Sequence, residues 1–186
     1  MRESPTTQAN ESGVALIELA VVVGLFVMLI LGGFEFSAAL RKHEAASALS
    51  RQVAASGFRE CSAESDDQVL AACLQGVIDR MTAFIGRSLP GTQIVLHSYR
   101  NDVPTSTCPA TFSASALVSN GSLPSRVVVQ DNTHQRTARV SIDSGTVCDN
   151  GVLIVAEVFV PYENGLFGIA RWIADNEQVF YNVTAI

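Results

Sequence analysis

An apolar run of 21 residues near the N-terminus, from Val14 to Phe34, constrains the fold of this chain more than any other feature. A helix rises about 1.5 Å per residue, so a run of this length spans the roughly 30 Å hydrocarbon core of a bilayer. The sequence therefore predicts one membrane-spanning helix. A secretory signal cut near "SAA", Ser37 to Ala39, is the alternative. The run is long for such a signal, and the segment before it, "MRESPTTQANESG", carries one Arg against two Glu.

Composition and motifs exclude several classes of function. The net charge is -6, and no Lys/Arg cluster is longer than Arg41-Lys42, which argues against nucleic acid as a partner. No G-x-S-x-G, H-E-x-x-H or P-loop pattern occurs, and the three histidines are isolated from one another: His43, His97 and His134. We therefore expect no enzyme activity, no cofactor, no metal and no small-molecule substrate.

The four cysteines all follow the apolar run, and no C-x-x-C or C-x-x-H pair suggests zinc. An even number on one side of a membrane favours disulfides in an oxidising compartment over free thiols. Near neighbours in sequence are easier to join. We therefore predict two disulfides outside the cytoplasm, with the pairs Cys61–Cys73 and Cys108–Cys148.

The basic residues near the run point the other way. Arg41, Lys42 and Arg51 follow the run, whereas only Arg2 precedes it. Taken alone, the positive-inside rule would leave the large C-terminal part in the cytoplasm. The cysteines and the basic residues thus predict opposite orientations.

Glu18 is the only ionisable residue in the run. A carboxylate at bilayer depth costs a few kcal/mol or more unless it is paired, so its presence suggests a function. The plain alternative is a side chain near the helix end that reaches the headgroups. Gly13 precedes it with four residues between, in the pattern G-x-x-x-x-E. This pattern resembles a class III, type IV pilin-like leader, which a prepilin peptidase cuts after the glycine.

The resemblance extends beyond this pattern. The segment "GVALIELAVVVGLFVMLILGGFEFSAAL" is similar to the opening of the TadE/TadF-type minor pseudopilins of tight adherence (Tad/Flp) pili, including a second Glu-Phe at Glu35-Phe36. The ending "VLIVAEVFVPYENGLFGIARWI" with a final strand is also like that family, whereas the middle carries nothing similar. Leu19 departs from the family pattern, where Phe or Tyr follows the glutamate.

The resemblance implies a cut between Gly13 and Val14, with Glu18 and Leu19 in peptidase recognition and assembly. Cleavage would give Val14 a cationic α-amino group. In assembled pilins, the carboxylate at the position of Glu18 is thought to pair with the amine of a neighbouring subunit. The implied partners are the inner membrane, a prepilin peptidase and other pilins and pseudopilins of the same system.

We predict an α+β fold with a long N-terminal helix, transmembrane and then amphipathic, packed on a head with one further helix and a mostly antiparallel sheet. The predicted units are a leader at 1–13, a spine helix at 14–58 and a head outside the cytoplasm at 59–186. A Ser65/Gln68 capping box should start the second helix, and Pro90-Gly91 should stop it.

Strands are predicted for "TQIVLHSY", "GVLIVAEVFVPY" and "QVFYNVTAI". "RVVVQ" and "QRTARVSI" should form a hairpin around Asp131-Asn132, after a loop from Asn101 to Ser125. "LFGIARWIA" predicts a short helix or loop, and Asp143-Ser144-Gly145 a turn. Glu157 lies within the apolar strand; we interpret it as an outward-facing residue, the alternative being an active carboxylate.

Three functions are compatible with these patterns. The first is a minor pseudopilin, processed at Gly13 and needed to initiate, tip or assemble a tight adherence pilus. The second is an unprocessed, single-pass anchored binding protein, which should tolerate loss of the Glu18 carboxylate. The third is a secreted enzyme or adhesin released at Ala39, and the lack of a catalytic motif counts against the enzyme.

Overall fold

The computed structural model describes residues 8–101, 111–130, 140–161 and 179–186. Three helices are present in these ranges: α1 (Gln8–Cys61), α2 (Asp67–Ile85) and α3 (Ser144–Asn150). The strands in the same ranges are β1 (Gln93–Arg100), β2 (Thr111–Phe112), β3 (Ala116–Ser119), β4 (Val127–Gln130), β5 (Val140–Asp143), β6 (Val152–Pro161) and β7 (Val179–Ala185). The predicted α+β fold class is confirmed.

Helix α1 is 54 residues long and has two halves with different surroundings. Every residue from Gly13 to Ile30 is exposed, whereas the second half buries one face against the head. The buried apolar positions recur at helical spacing, and most are small: Ala39, Ala46, Leu49, Val53, Ala54 and Cys61. Small residues let the helix lie close to the sheet, and Gly57 lies where an added Cβ would be 3.3 Å from Ile154.

Helix α2 begins and ends at other residues than the sequence predicted. Asp66, and not Ser65, is the N-cap, and its carboxylate accepts hydrogen bonds from the backbone N–H groups of Gln68 and Val69. The helix ends at Ile85, before the predicted Pro90-Gly91 stop. Gly91, with φ 75°, instead allows the turn that leads into β1.

The main sheet has the order β3-β1-β6-β7, and all its neighbours are antiparallel. Both α1 and α2 pack on one face, where the largest core cluster contains α2 residues such as Leu70 and Leu74 together with Ile154 and Val158 of β6. Odd-numbered residues of β6 point to the opposite face, since side chains alternate along a strand. The predicted strands β1, β6 and β7 are therefore present, with β6 in the interior of the sheet.

The second sheet contradicts the predicted hairpin. It has the order β2-β4-β5, and β4 pairs with β5 in parallel, with Val127 opposite Val140. The two strands of a hairpin are antiparallel. The predicted hairpin of "RVVVQ" and "QRTARVSI" is therefore wrong. The predicted turn at Asp131-Asn132 lies outside the described residues.

Two further predictions for this region are corrected. The predicted loop from Asn101 to Ser125 contains β2 and β3. The predicted turn at Asp143 is the start of α3, whose N-cap is Asp143 and whose Gly145 N–H donates to the Asp143 carboxylate. The segment "LFGIARWIA" lies outside the described residues.

Candidate assembly segment and the buried glutamate

The first half of α1 is the candidate assembly segment, residues 13–34. By length and composition it could cross a membrane, and none of its most apolar 18-residue window is buried within the protein. Its large side chains are bare, with Leu29 and Phe34 each 72% exposed. A soluble protein rarely exposes so continuous an apolar surface, which marks it as a site for lipid or for another protein.

The predicted processing site, Gly13 and Val14, lies at the start of this segment, together with Glu18 and Leu19, the residues predicted for peptidase recognition and assembly. Gly13, Val14, Glu18 and Leu19 are all helical and exposed. Val14 and Glu18 are one helical turn apart and share a face. A Cβ added at Gly13 would meet nothing within 4 Å, so no part of the described head covers the Gly13–Val14 bond.

The cysteines hold the junction between the two helices. Cys61, the last residue of α1, is joined by a disulfide to Cys73 of α2. Cys148 in α3 is also disulfide-bonded. Its predicted partner, Cys108, lies outside the described residues. The Cys61–Cys73 bridge fixes the end of the long helix to the rest of the head.

Glu157 is not the outward-facing residue that the sequence suggested. It lies on β6 in the face of the sheet opposite α1 and is fully buried. Oε1 accepts hydrogen bonds from Nε2 of His97, at 2.6 Å, and from Oγ of Ser125. Oε2 accepts from the backbone N–H of Arg126 and from the hydroxyl of Tyr181, both at 2.8 Å. Four donors therefore surround one carboxylate; we call these residues the Glu157 cluster.

The electrostatics of the cluster favour a charged carboxylate. Burial on its own raises the pKa of Glu157, but the four hydrogen bonds together outweigh burial and hold the pKa below its ordinary value. Burial and, second, the charge of Glu157 raise the pKa of Tyr99 to about 12. Burial and then the same charge raise the pKa of Tyr181. At neutral pH the cluster thus holds an anion and the neutral phenol of Tyr181, with the neutral phenol of Tyr99 nearby.

Aromatic rings complete the surroundings of the cluster. The guanidinium of Arg126 lies 5.3 Å from the ring centroid of Phe159 and 5.2 Å from that of Tyr181. Cation–π contacts of this kind stabilise by about 0.5–2 kcal/mol. The ring of His97 is stacked on that of Tyr99 at 5.9 Å. Glu157, His97 and Phe159 are buried in this face of the sheet, whereas Ser125, Arg126 and Tyr181 are half-buried.

The sequence contained a signal for this cluster that we did not use. Glu157 is flanked on both sides by apolar residues in "VLIVAEVFVP", and a strand apolar at successive positions is covered on both faces. A carboxylate in such a strand must be buried and therefore needs donors. His97 is in a similar position in "IVLHSY", but its pairing with Glu157 could not be inferred without the β1–β6 register.

The described residues offer no metal centre, since they contain no group of three or more His, Cys, Asp or Glu that could hold an ion. The fold and the exposed segment define a class of protein: an α+β head continuous with a helix that, alone among the described helices, could span a membrane.

One protein-family model matches part of this chain. Residues 13–55 match the family model of TadE-like proteins, which confirms the resemblance predicted for the opening of the chain, whereas the ending lies outside the match. The match begins at Gly13, covers the exposed segment and continues over most of the part of α1 that packs on the head. Comparisons with curated proteins and with solved structures find no match. The match ends at residue 55, so the α2 helix and the strands of the head lie outside it.

Proposed function

We propose that this chain is a minor pseudopilin of a tight adherence pilus. A prepilin peptidase removes residues 1–13, and the mature chain stays in the inner membrane through residues 14–34 with its head in the periplasm. It then takes part in initiating, tipping or assembling the filament with other pilins. The observation that carries the proposal is that the family match starts at Gly13, directly before the apolar run, whose residues 14–30 are all exposed.

The carboxylate of Glu18 favours association of this helix with the helix of another subunit. Glu18 is exposed, and the helix residues three and four positions away on either side are apolar: Val14, Ala15, Val21 and Val22. An unpaired charge in an apolar setting is costly, and cleavage would create a cationic amine on Val14. Subunits in register can pair the carboxylate of one with the amine of another. Glu18 then specifies the arrangement of subunits without stabilising the separate chain.

The disulfides support a periplasmic head. The Cys61–Cys73 bridge lies in the part of the head next to α1, and disulfides persist in oxidising compartments such as the bacterial periplasm. The basic residues after the run, such as Arg41 and Lys42, oppose this orientation. We give the cysteines more weight because a bridge in the folded head requires oxidation, whereas the charge rule is a statistical bias.

The test of processing is the mass of the N-terminus after expression with and without a cognate prepilin peptidase. We expect a mature chain that starts at Val14 only when the peptidase is present. A Gly13→Leu variant serves as the uncleaved control, since the added side chain meets nothing in the described head and should leave folding unchanged. An intact Met1 in every sample would contradict the proposal and leave an unprocessed, membrane-anchored binding protein.

A further inference from the structure

Residues 120–127 cross the face of the main sheet opposite α1, between the end of β3 and the start of β4. We call this segment the strap. It packs on the sheet through Leu123, which lies against the cluster of Val95, Phe159 and Val179. Two sets of hydrogen bonds attach the strap. One set joins neutral groups only, and the other has a carboxylate as its acceptor.

The first attachment is neutral. The Asn120 side chain accepts from the backbone N–H of Ile94 at 2.7 Å and donates to Thr82 at 2.8 Å. The Gln93 side chain accepts from the backbone N–H of Leu123 at 3.0 Å. Amides and hydroxyls do not titrate between pH 2 and 10, so this end of the strap holds equally well across that range.

The second attachment depends on an anion. Ser125 and the backbone N–H of Arg126 both donate to the Glu157 carboxylate, and the Ser125 hydroxyl in turn accepts from the N–H of Val127 at 3.2 Å. The other two donors, His97 and Tyr181, lie on strands of the main sheet, where the ladder fixes them. Ser125 and Arg126 precede β4 and belong to neither ladder, so they are the part of the cluster that strand pairing does not hold.

Protonation of Glu157 conflicts with this arrangement. Both oxygens already accept from two groups each, so an added proton must point at one of them, and the neutral carboxyl holds the remaining donors more weakly than the anion does. The charged or titratable groups of the described residues that face the carboxylate are His97 and Tyr99 on β1, Arg126 on the strap and Tyr181 on β7. Nε2 of His97 and the hydroxyl of Tyr181 can accept the new proton only by reversing their own bond to Glu157, whereas the backbone N–H of Arg126 cannot accept at all.

We propose that the strap is an acid-releasable device: protonation of Glu157 frees the Ser125–Arg126 end from the sheet, while the Asn120 end stays attached. At neutral pH the carboxylate binds Ser125 and Arg126, just before β4, to the main sheet. In acid these hydrogen bonds are lost. A head outside the cytoplasm would experience external acidity directly, so the device would change the surface of the head with the surroundings. The inference concerns the head alone and does not depend on processing or assembly.

The test is amide hydrogen exchange of the full-length chain in detergent micelles, expressed as protection factors so that the intrinsic pH dependence is removed. Because the pKa of Glu157 is held below its ordinary value, the attachment is complete at neutral pH and is lost as the pH falls through that lowered pKa. We expect the protection of the Arg126 and Val127 amides to fall at least tenfold in acid. The amides of Ile94 and of β6 should keep their protection over the same pH range.

Variants separate the device from ordinary unfolding. Glu157→Gln should lose protection at Arg126 already at neutral pH and should show no further loss in acid. Tyr181→Phe keeps the ring beneath Arg126 but removes one donor to the anion, so the pKa of Glu157 should rise and the loss should begin at higher pH. Tyr181→Phe remains informative if Glu157→Gln does not fold. Asn120→Ala should lower protection at Ile94 at every pH and leave the acid step at Arg126 unchanged.

Two results would overturn the proposal. One is an Arg126 amide that stays protected until β6 also exchanges, which means that only global unfolding opens the strap. The other is an acid step that Tyr181→Phe does not move, which means that a group other than Glu157 controls it.

Discussion

Two glutamates lie among apolar residues in this molecule, and their surroundings are opposite. Glu157, in the head, is fully buried and has four hydrogen-bond donors within its own chain. Glu18, in the candidate assembly segment, is exposed and has no side-chain hydrogen bond or ion pair among the described residues. A carboxylate that its own chain satisfies serves the fold, whereas one that the chain leaves unsatisfied in an apolar surface needs a partner from outside.

The same division runs along α1. Its second half is buried by small residues against the head, while its first half contacts nothing in the described head. Substitutions in the head should therefore change stability, and substitutions in the first half should change association but leave the head intact. The following predictions, from the largest effect on stability to the smallest, test this division.

Replacing Glu157 with Leu should cost the most. The volume is kept, but His97, Ser125 and Tyr181 would lose their shared acceptor in the interior, and breaking a buried charged network of this kind costs about 3–5 kcal/mol. The measurement is urea or thermal unfolding of the full-length chain in micelles. Glu60→Leu is the matched control, because the Glu60–Arg80 ion pair is on the surface, with the Glu60 side chain 45% exposed. Equal losses in the two variants would contradict the role given to Glu157.

Removing the Cys61–Cys73 disulfide should cost somewhat less. The bridge joins residues 12 apart, and in the chain-entropy model closing a loop of about this length stabilises by about 3 kcal/mol. The double variant Cys61→Ala/Cys73→Ala should unfold at lower urea, while membrane extraction with carbonate should show that the span stays inserted. A double variant that is as stable as the wild type would mean that the helix junction does not need the bridge.

Removing the cap of α2 should have a small effect. Asp66→Ala leaves the N–H groups of Gln68 and Val69 without their acceptor, which costs about 1 kcal/mol. Ser65→Ala is the control and should be close to neutral, because Ser65 is not the N-cap. A larger loss for Ser65→Ala than for Asp66→Ala would restore the capping box predicted from the sequence.

Replacing Glu18 with Leu should leave the unfolding of the head unchanged. The side chain is exposed on a part of α1 that the head does not cover, so no contact within the described chain is lost. The same urea or thermal unfolding measurement in micelles checks this. A lower unfolding midpoint for Glu18→Leu would show that the two halves of α1 are coupled. It would contradict the division between a glutamate that serves the fold and one that serves association.

Local patterns predicted the parts of this fold that depend on local physics. The apolar run predicted the exposed half of α1, helical spacing predicted α2, and apolar runs predicted β1, β6 and β7. The β4–β5 pairing was wrong because a strand pattern does not encode its neighbour. The short distance between the two runs favoured a hairpin, whereas the strands are parallel. At Asp143, the same Asp-Ser-Gly letters suit a turn and a helix cap, and the cap is what forms.

The surroundings of Glu157 could not be predicted from its local sequence either. Its strand and its apolar flanks were visible in the sequence, but the number of covered faces was not. With α1 and α2 on one face and the strap on the other, no residue of the middle of β6 faces solvent. His97, Ser125 and Tyr181 converge on Glu157 from 60, 32 and 24 residues away in sequence, and only the tertiary fold brings them together.

The most direct test of the division between the two glutamates is whether Glu18→Leu enters the filament. The chain would be expressed in cells with a complete tight adherence system, and its amount would be compared in the membrane and in sheared pili, with Glu44→Leu, an exposed position beyond the span, as the control. We predict normal amounts of Glu18→Leu in the membrane and a loss of at least tenfold from the pili, with Glu44→Leu like the wild type. Incorporation of Glu18→Leu at the wild-type level would contradict an assembly role for this carboxylate.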